Sequence, residues 1–130
     1  MCREILSLIR KNSRMPITQI SRLLNLSRAT TYNRFKQVSK KYINNFVSMI
    51  HFDKLGYSVR TVSILKAKNL KGIDQRCINS ASRLEGDHIL IDCYFKNNLQ
   101  AEKYIKSLLK YNPRTFHIVE EIISEEFLTR

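Results

Sequence analysis

Hydrophobic side chains in the first third of the chain recur at the three- and four-residue intervals of a helix. The first group predicts a helix from Arg3 to Lys11, and two later groups predict a pair of short helices between Thr18 and Val38. Polar residues and Pro16 separate the first helix from this pair. The three groups are Ile5, Leu6 and Ile9; Ile20, Leu23 and Leu24; and Thr31, Phe35 and Val38.

The junction between the paired helices has the residues that a tight turn needs. Thr18 and Ser27 stand where helix N-caps are expected, because a hydroxyl oxygen accepts hydrogen bonds from the free amides of a first turn. Asn25 tolerates the left-handed backbone of such a turn, and Leu26 would fill the angle between the helices. The stretch therefore predicts a helix-turn-helix whose second helix lies in a DNA major groove.

The second helix of the pair is polar on the face opposite its hydrophobic stripe. Arg28 can contact a guanine edge with two hydrogen bonds, and Asn33 can do the same for adenine. We predict base contacts from Arg28, Tyr32 and Asn33 and phosphate contacts from Arg34 and the lysines. The alternative is a solvated face on an unrelated all-α core. The predicted DNA-binding residues are Arg28, Thr30, Tyr32, Asn33, Arg34, Lys36, Lys40 and Lys41.

The segment after this helix predicts a wing and then a hinge. Tyr42 to Asn44 would open the wing and Asn45 to His51 would continue it as a strand. The stretch HFDKLGY at residues 51–57 contains turn-forming Asp53 and Gly56 and predicts the hinge. We therefore expect a winged helix-turn-helix domain at residues 1–50 and a second domain at residues 58–130.

Beyond the hinge the hydrophobic period changes to two, most clearly from His88 to Phe95. The order β-α-β-β-α-β predicts a ferredoxin-like sandwich, so the fold class is α+β. The predicted elements are a strand at Val59 to Ala67, a helix at Leu70 to Cys77, a strand at Ile78 to Leu84, a turn at Glu85 to Asp87, a strand at His88 to Phe95, a helix capped by Asn98 and running to Tyr111, and a strand at Thr115 to Ile123.

Charge is distributed unevenly between these two parts. The chain has 23 basic and 11 acidic residues, a net charge of +12. Residues 1–57 hold 11 of the basic side chains and only two acids, Glu4 and Asp53, for a net of +9, so residues 58–130 carry +3. Concentrated positive charge on the helix-turn-helix half favours double-stranded DNA as the partner. A membrane surface is not predicted, because no long amphipathic stretch with an aromatic face occurs there.

The three cysteines predict neither a metal site nor a disulfide framework. Cys2, Cys77 and Cys93 are odd in number and lack metal-ligand spacing, so we expect reduced thiols, with one disulfide as the minority alternative. No hydrophobic run approaches membrane-spanning length, and no signal-peptide core is present. We therefore expect a cytoplasmic, nucleoid-associated protein that requires no cofactor.

Several short stretches resemble the Lrp/AsnC family of leucine-responsive and feast/famine regulators. They are EILSLIRKNSR at 4–14, Leu26-Ser27, Arg34-Phe35 followed by Val38, FDKLGY at 52–57 and EGDHIL at 85–90, and together they span nearly the whole chain. The resemblance implies a transcription regulator with a βαββαβ domain of the RAM type that dimerises through its sheets. It also allows assembly into octamers and binding of an amino acid or another small effector between subunits.

The chain departs from the family pattern at the positions where the resemblance would place an effector. These are Gly86, Asp87 and His88. The family loop commonly runs Gly-x-x-Asp, whereas here Gly86 is followed by Asp87, His88 and Ile89, so the second acidic position is lost. The family's acidic segment before the first helix and the glycine that opens its wing are also missing.

Two alternative functions compete with a specific regulator. An architectural protein that coats DNA through phosphate contacts would also be strongly basic. An enzyme resembling the sirohaem decarboxylases, which share this fold, would use histidines, but His51, His88 and His117 are dispersed along the chain. No Cys/His or Ser/His/Asp arrangement stands out, so we do not expect an enzyme.

Overall fold

The structure, a computed structural model, describes residues 2–124, 126, 127 and 129. The described chain divides into two compact units. One contains the residues up to Met49 together with those from Ile122 onward, and the other contains Ile50–Glu121. None of the helices in the described part of the chain is long and apolar enough to cross a membrane.

Three helices make up the core of the first unit. They are α1 at Cys2–Lys11, α2 at Ile17–Leu24 and α3 at Arg28–Tyr42. Their buried hydrophobic residues are Ile5, Ile9, Ile20 and Val38. All four belong to the predicted stripes, so the three-helix arrangement is confirmed. Leu23 was also predicted to lie on a buried stripe, but it is exposed.

Two predicted boundaries in the first unit are wrong. Helix α2 begins at Ile17, with Pro16 at the N-cap, because the fixed φ of proline suits a helix start. Thr18 is therefore inside the first turn, and its carbonyl accepts a hydrogen bond from the Ser21 hydroxyl at 2.7 Å. Helix α3 continues to Tyr42, a residue that the sequence placed in a wing.

The segment that follows α3 has no regular structure from Ile43 to His51. The predicted strand at Asn45 to His51 is wrong. A strand requires a hydrogen-bonded neighbour, and no described part of the chain pairs with this segment. The predicted hinge begins next, with a 3-10 turn at Phe52–Leu55 that ends at Gly56 in a left-handed conformation.

The second unit is built on a four-stranded antiparallel sheet. Its strands are β1 at Val59–Lys66, β2 at Ile78–Leu84, β3 at His88–Phe95 and β4 at Arg114–His117. The spatial order is β2-β3-β1-β4, so the first and third strands lie in the centre. The four strands and the α+β class are confirmed.

One helix covers one face of this sheet. Helix α4, at Asn98–Ser107, presents Ala101 to the sheet, and Leu108 just after it is also buried, in a core with Leu65, Ile91 and Phe95. The alternate residues of the central strands point to the other face, where Val62, Ile64 and Leu90 are half-buried. No α-helix of the described second unit is packed on that face, and Phe52 of the 3-10 turn covers one end of it, with its ring centre 4.6 Å from that of Tyr94.

Three predictions for the second unit need correction. The helix at Leu70 to Cys77 does not form, because Gly72 has φ +81, which a right-handed helix cannot contain. Helix α4 is capped by Asn97, whose side chain accepts from the Gln100 amide at 2.9 Å, and it ends before the predicted Tyr111. Strand β4 stops at His117 rather than Ile123, since adjacent Glu120 and Glu121 interrupt the alternation.

Candidate DNA-binding surface

The inner face of α3 fixes the helix in the first unit. Thr31 and Val38 are fully buried, and Phe35 is half-buried against the core formed by Ile5 and Ile20. The Thr31 hydroxyl donates to the Ser27 carbonyl at 2.9 Å, so its polar atom is satisfied inside the helix. Because these residues face inward, the opposite side of α3 is left to solvent.

The turn before α3 has the predicted geometry. Asn25 has φ 53 and ψ 48, and the Leu26 amide donates to the Ser21 carbonyl at 2.9 Å. The Ser27 side chain accepts a hydrogen bond from the Thr30 amide at 3.2 Å, so Ser27 is the predicted N-cap of α3. These contacts set the direction in which α3 leaves the turn.

The outer face of α3 exposes the residues predicted to contact bases. Arg28, Tyr32 and Asn33 are all exposed, with 51% of Tyr32 accessible. The ammonium of Lys36 lies 5.5 Å from the centre of the Tyr32 ring, which places a positive charge beside a stacking surface. The face thus combines bidentate donors, an aromatic ring and a cation, the side chains that read and hold nucleic acid.

Two of the predicted residues, Thr30 and Arg34, lie at the edge of this face, where the helical spacing places them. Thr30 is half-buried and its hydroxyl oxygen accepts a hydrogen bond from the Ser27 hydroxyl at 2.8 Å, so it takes part in the cap. Arg34 is half-buried, and its buried Nη1 has no hydrogen-bond partner among the described residues. A phosphate oxygen is a suitable acceptor for a guanidinium in that position.

The last turn of α3 carries a second positive group. Lys40 and Lys41 are both exposed there. The ammonium of Lys41 lies 5.1 Å from the Tyr42 ring centre, and its hydrogen bond with the Tyr42 side chain raises the pKa of Lys41. Cations at a helix C-terminus are favoured by the helix dipole, and both side chains are exposed where an anionic backbone could reach them.

The predicted effector residues form a tight turn between β2 and β3. Gly86 and Asp87 both have left-handed backbones, with φ 77 and φ 57. The Nδ1 atom of His88 lies 3.4 Å from the Glu85 carbonyl, so the ring folds back on the turn. The structure does not bring these residues to the cavity described below.

A cavity that the sequence did not predict opens in the second unit. Its volume is about 840 Å³. Its lining is partly aromatic and partly basic, and includes Phe52, Cys77, Tyr94, Lys96, Lys103 and Tyr104. These residues come from the 3-10 turn, from β3, from the segments just before β2 and just after β3, and from α4, so no local sequence pattern connects them.

The titratable residues do not assemble a metal centre. No group of three or more His, Cys, Asp or Glu side chains suited to a metal ion occurs within residues 2–124 or at the described positions beyond them. The three histidines lie before a 3-10 turn, in β3 and in β4.

Comparison with known proteins shows that the helices of the first unit are similar to a DNA-binding module. Residues 3–41 match the family model described as winged helix-turn-helix DNA-binding. An uncharacterized HTH-type transcriptional regulator of Pyrococcus furiosus is 26% identical over 137 residues, which cover 96% of this chain and 93% of that protein. The winged helix-turn-helix class predicted from the sequence is therefore confirmed.

Solved structures extend the similarity to both units. LrpC of B. subtilis superposes with a TM-score of 0.73 at 20% identity, over 94% of this chain and 96% of that one. A feast or famine regulatory protein of M. tuberculosis, solved with L-methionine, gives a TM-score of 0.77 at 10% identity, over 94% and 92% of the two chains. The chain has the fold of the Lrp/AsnC regulators, and the resemblance seen in its sequence is confirmed.

Proposed function

We propose that this chain is a sequence-specific transcription regulator that binds double-stranded DNA through the outer face of α3. The observation that supports this most directly is the exposure of Arg28, Tyr32 and Asn33 on a helix whose other face is buried. Arg28, Tyr32 and Asn33 contact base edges, whereas Arg34, Lys36, Lys40 and Lys41 contact phosphates. Thr30 supports the start of the helix through the Ser27 cap.

The second unit forms a dimer and thereby pairs two α3 helices. Its uncovered sheet face presents half-buried Val62, Ile64 and Leu90 beside Phe116, which is 55% exposed. A second copy of the chain would bury these side chains face to face, and an apolar face of this kind is typical of an obligate interface. The dimer then places two α3 helices in successive major grooves of a near-palindromic site, ~34 Å or a multiple apart.

A further part of the proposed function is its control by a small effector. One similar protein was solved with L-methionine. In this chain Gly86, Asp87 and His88 make an exposed turn, so an effector contacting them needs a second copy of the chain to complete its pocket. Calorimetric titration of the assembled protein with L-methionine and L-leucine tests this, and no heat above dilution with either would exclude both amino acids.

The first prediction separates base contacts from phosphate contacts. Arg28→Ala should lose about 1–3 kcal/mol of preference at one base pair, because a bidentate contact to a base edge is removed. Lys36→Ala should weaken specific and scrambled duplexes alike and reduce the slope of log affinity against log salt by about 1, since one phosphate contact is lost. Binding is measured by fluorescence anisotropy with both duplexes at two or more salt concentrations.

Lys71→Ala is the matched control for loss of a positive charge, because Lys71 is exposed in the second unit. It should leave both the preference and the salt slope unchanged. Identical behaviour of the Arg28 and Lys36 variants would contradict the assignment of roles on α3.

The architectural alternative is distinguished by selecting bound duplexes from a random pool. A specific regulator enriches a near-palindromic motif, whereas a coating protein retains DNA without enrichment. The exposed Lys40 and Lys41 at the end of α3 favour some sequence-independent binding in either case.

A further inference from the structure

Two cysteine side chains meet at one end of the sheet in the second unit. Cys77 immediately precedes β2 and Cys93 lies in β3. The backbones are held together there, because the Tyr94 amide donates to the Cys77 carbonyl at 3.0 Å and Ile78 is the cross-strand partner of Cys93. Both thiols are free, and Cys77 packs against the same core cluster that contains Cys93. A disulfide between them would link neighbouring positions of two segments whose backbones are already paired.

The two thiols differ in their access to solvent. Cys93 is only 1% exposed and belongs to the core beneath α4, together with Ile91 and Phe95. Cys77 is half-buried and lines the open cavity of about 840 Å³. A small reagent therefore meets Cys77 before Cys93.

The ionisation of the pair follows the same order. The hydrogen bond from the Cys93 thiol lowers the pKa of Cys77 to about 7, and the Tyr104 hydroxyl lowers it as well. Burial of the side chain opposes both effects. The same thiol–thiol hydrogen bond raises the pKa of Cys93, and burial of the side chain raises it further. Near neutral pH Cys77 is therefore ionised to a greater extent than an ordinary cysteine. Cys93 stays protonated.

We propose that Cys77 and Cys93 form a peroxide-reactive dithiol site that converts reversibly into an intramolecular disulfide. The oxidant is a hydroperoxide, of which hydrogen peroxide is the simplest. This site lies in the second unit and does not involve the DNA-binding face of α3.

The reaction takes place in two steps. The Cys77 thiolate attacks one peroxide oxygen, so that an S–O bond forms, the O–O bond breaks and hydroxide leaves; Cys77 is oxidised to a sulfenic acid and the peroxide is reduced. The Cys93 sulfur then attacks the Cys77 sulfur, the S–S bond forms, and the sulfenic oxygen leaves as water with the thiol proton. A dithiol reductant reverses the result by thiol–disulfide exchange.

The test uses the full chain with Cys2→Ser as the background, since Cys2 is exposed in the first unit and would otherwise form bridges between molecules. After brief exposure to hydrogen peroxide, intact mass spectrometry should show the loss of two hydrogens from the monomer. Thiol titration should show both free thiols lost together, and dithiothreitol should restore them. Thiol-to-thiol crosslinking between molecules, or loss of one thiol alone, would overturn the proposal.

Two further variants assign the roles. With Cys93→Ala in this background, Cys77 should accumulate as a sulfenic acid that dimedone traps, because the second thiol is gone. With Cys77→Ser, Cys93 should remain unmodified at the same peroxide dose. Circular dichroism verifies that each variant is folded before it is oxidised. If Cys93 is modified in the Cys77→Ser variant as readily as in the protein that keeps both thiols, the proposed order of attack is wrong.

The rate against pH gives an independent readout. In the Cys2→Ser protein the oxidation rate should rise through an inflection near the Cys77 pKa of about 7, because the thiolate is the reactive form. In the Cys2→Ser/Cys93→Ala protein the inflection should move to higher pH, since the hydrogen bond that stabilises the thiolate is lost. A Cys77→Ser/Cys93→Ala protein, which keeps only Cys2, supplies the rate of an exposed thiol. If Cys77 reacts no faster than Cys2 at neutral pH, the proposed reactivity is wrong.

Discussion

Asn25 shows how one side chain can determine the geometry of the motif. Its backbone is left-handed, with φ 53 and ψ 48, and its own amide donates to the Arg22 carbonyl. Few residues other than glycine adopt this conformation readily, and asparagine is the most common of them. The residue type was therefore sufficient to predict this turn.

The second prediction replaces Asn25. Asn25→Ala should destabilise the fold by about 1 kcal/mol, because a Cβ without a compensating polar group is strained in the left-handed region. Asn25→Gly is the matched control and should change the free energy of unfolding by only a few tenths, since glycine enters that region freely. Urea unfolding followed by circular dichroism measures both. An alanine variant as stable as the glycine variant would show that the turn does not depend on this backbone conformation.

Arg34 shows the limit of prediction at the scale of a single residue. The helical period placed it at the flank of the DNA-binding face, and the structure shows it half-buried with a guanidinium nitrogen enclosed. A long side chain can turn its stem inward while its backbone position stays the same. Sequence spacing predicts the backbone position and not the side-chain conformation.

Secondary-structure elements with local signals were predicted well. Helices α1 and α3 carry hydrophobic stripes, and α3 also has a capping serine. Strand β3 alternates clearly, and its predicted and observed bounds agree, from His88 to Phe95. Elements that depend on a tertiary partner were predicted less well. The segment after α3 has the composition of a strand but no described neighbour to pair with.

The third prediction compares two hydroxyl residues at the starts of helices. Ser27→Ala should cost about 1 kcal/mol, because the side-chain acceptor for the Thr30 amide is lost from α3. Thr18→Ala should cost less than about 0.5 kcal/mol, since Thr18 lies within the first turn of α2 and its side chain caps nothing.

The two variants are compared by thermal unfolding under identical conditions. The midpoint of Ser27→Ala should fall further than that of Thr18→Ala. The reverse order would mean that the helix start predicted at Thr18 is the correct one and that the cap observed at Ser27 contributes little.

For the whole molecule, the order of the predicted strands and helices was the most useful guide to the fold. The predicted β-α-β-β-α-β order agrees with the observed four-stranded sheet, even though its first helix does not form. The cavity beside α4 and the contact between Cys77 and Cys93 were not predicted, because both depend on side chains from separate elements.

The fourth prediction tests the uncovered sheet face. Phe116→Asp should convert the dimer to a monomer, because a carboxylate would be buried without a partner between the two sheets. Leu99→Asp is the matched control, since Leu99 is 74% exposed on α4, away from that face, and the dimer should persist. Light scattering coupled to size-exclusion chromatography gives the mass of each variant. A monomeric unmodified protein, or a Phe116 variant that remains dimeric, would contradict the proposed interface.

The same face contains a charged group that the hydrophobic pattern does not suggest. Arg60 makes two hydrogen bonds to Asp92, at 2.9 and 2.8 Å, and a further one to Glu121. Asp92 is buried within a single chain, and the Arg60 guanidinium lies 5.3 Å from the centre of the Tyr94 ring. Closing a second sheet over this group would remove water from an ion pair that is already satisfied, so the group would constrain which surface can pack there.

Strand β2 contains the stretch SASRL, which has low β-propensity, and nearly all of its residues are exposed. It is also an outer strand of the sheet within the described chain. The small polar residues and Arg83 of this edge strand disfavour edge-to-edge pairing with another chain, but they also make the strand itself less rigid. Anyone who engineers Ser80 or Ser82 to valine for greater thermal resistance should therefore expect fibrillation or precipitation as the side effect.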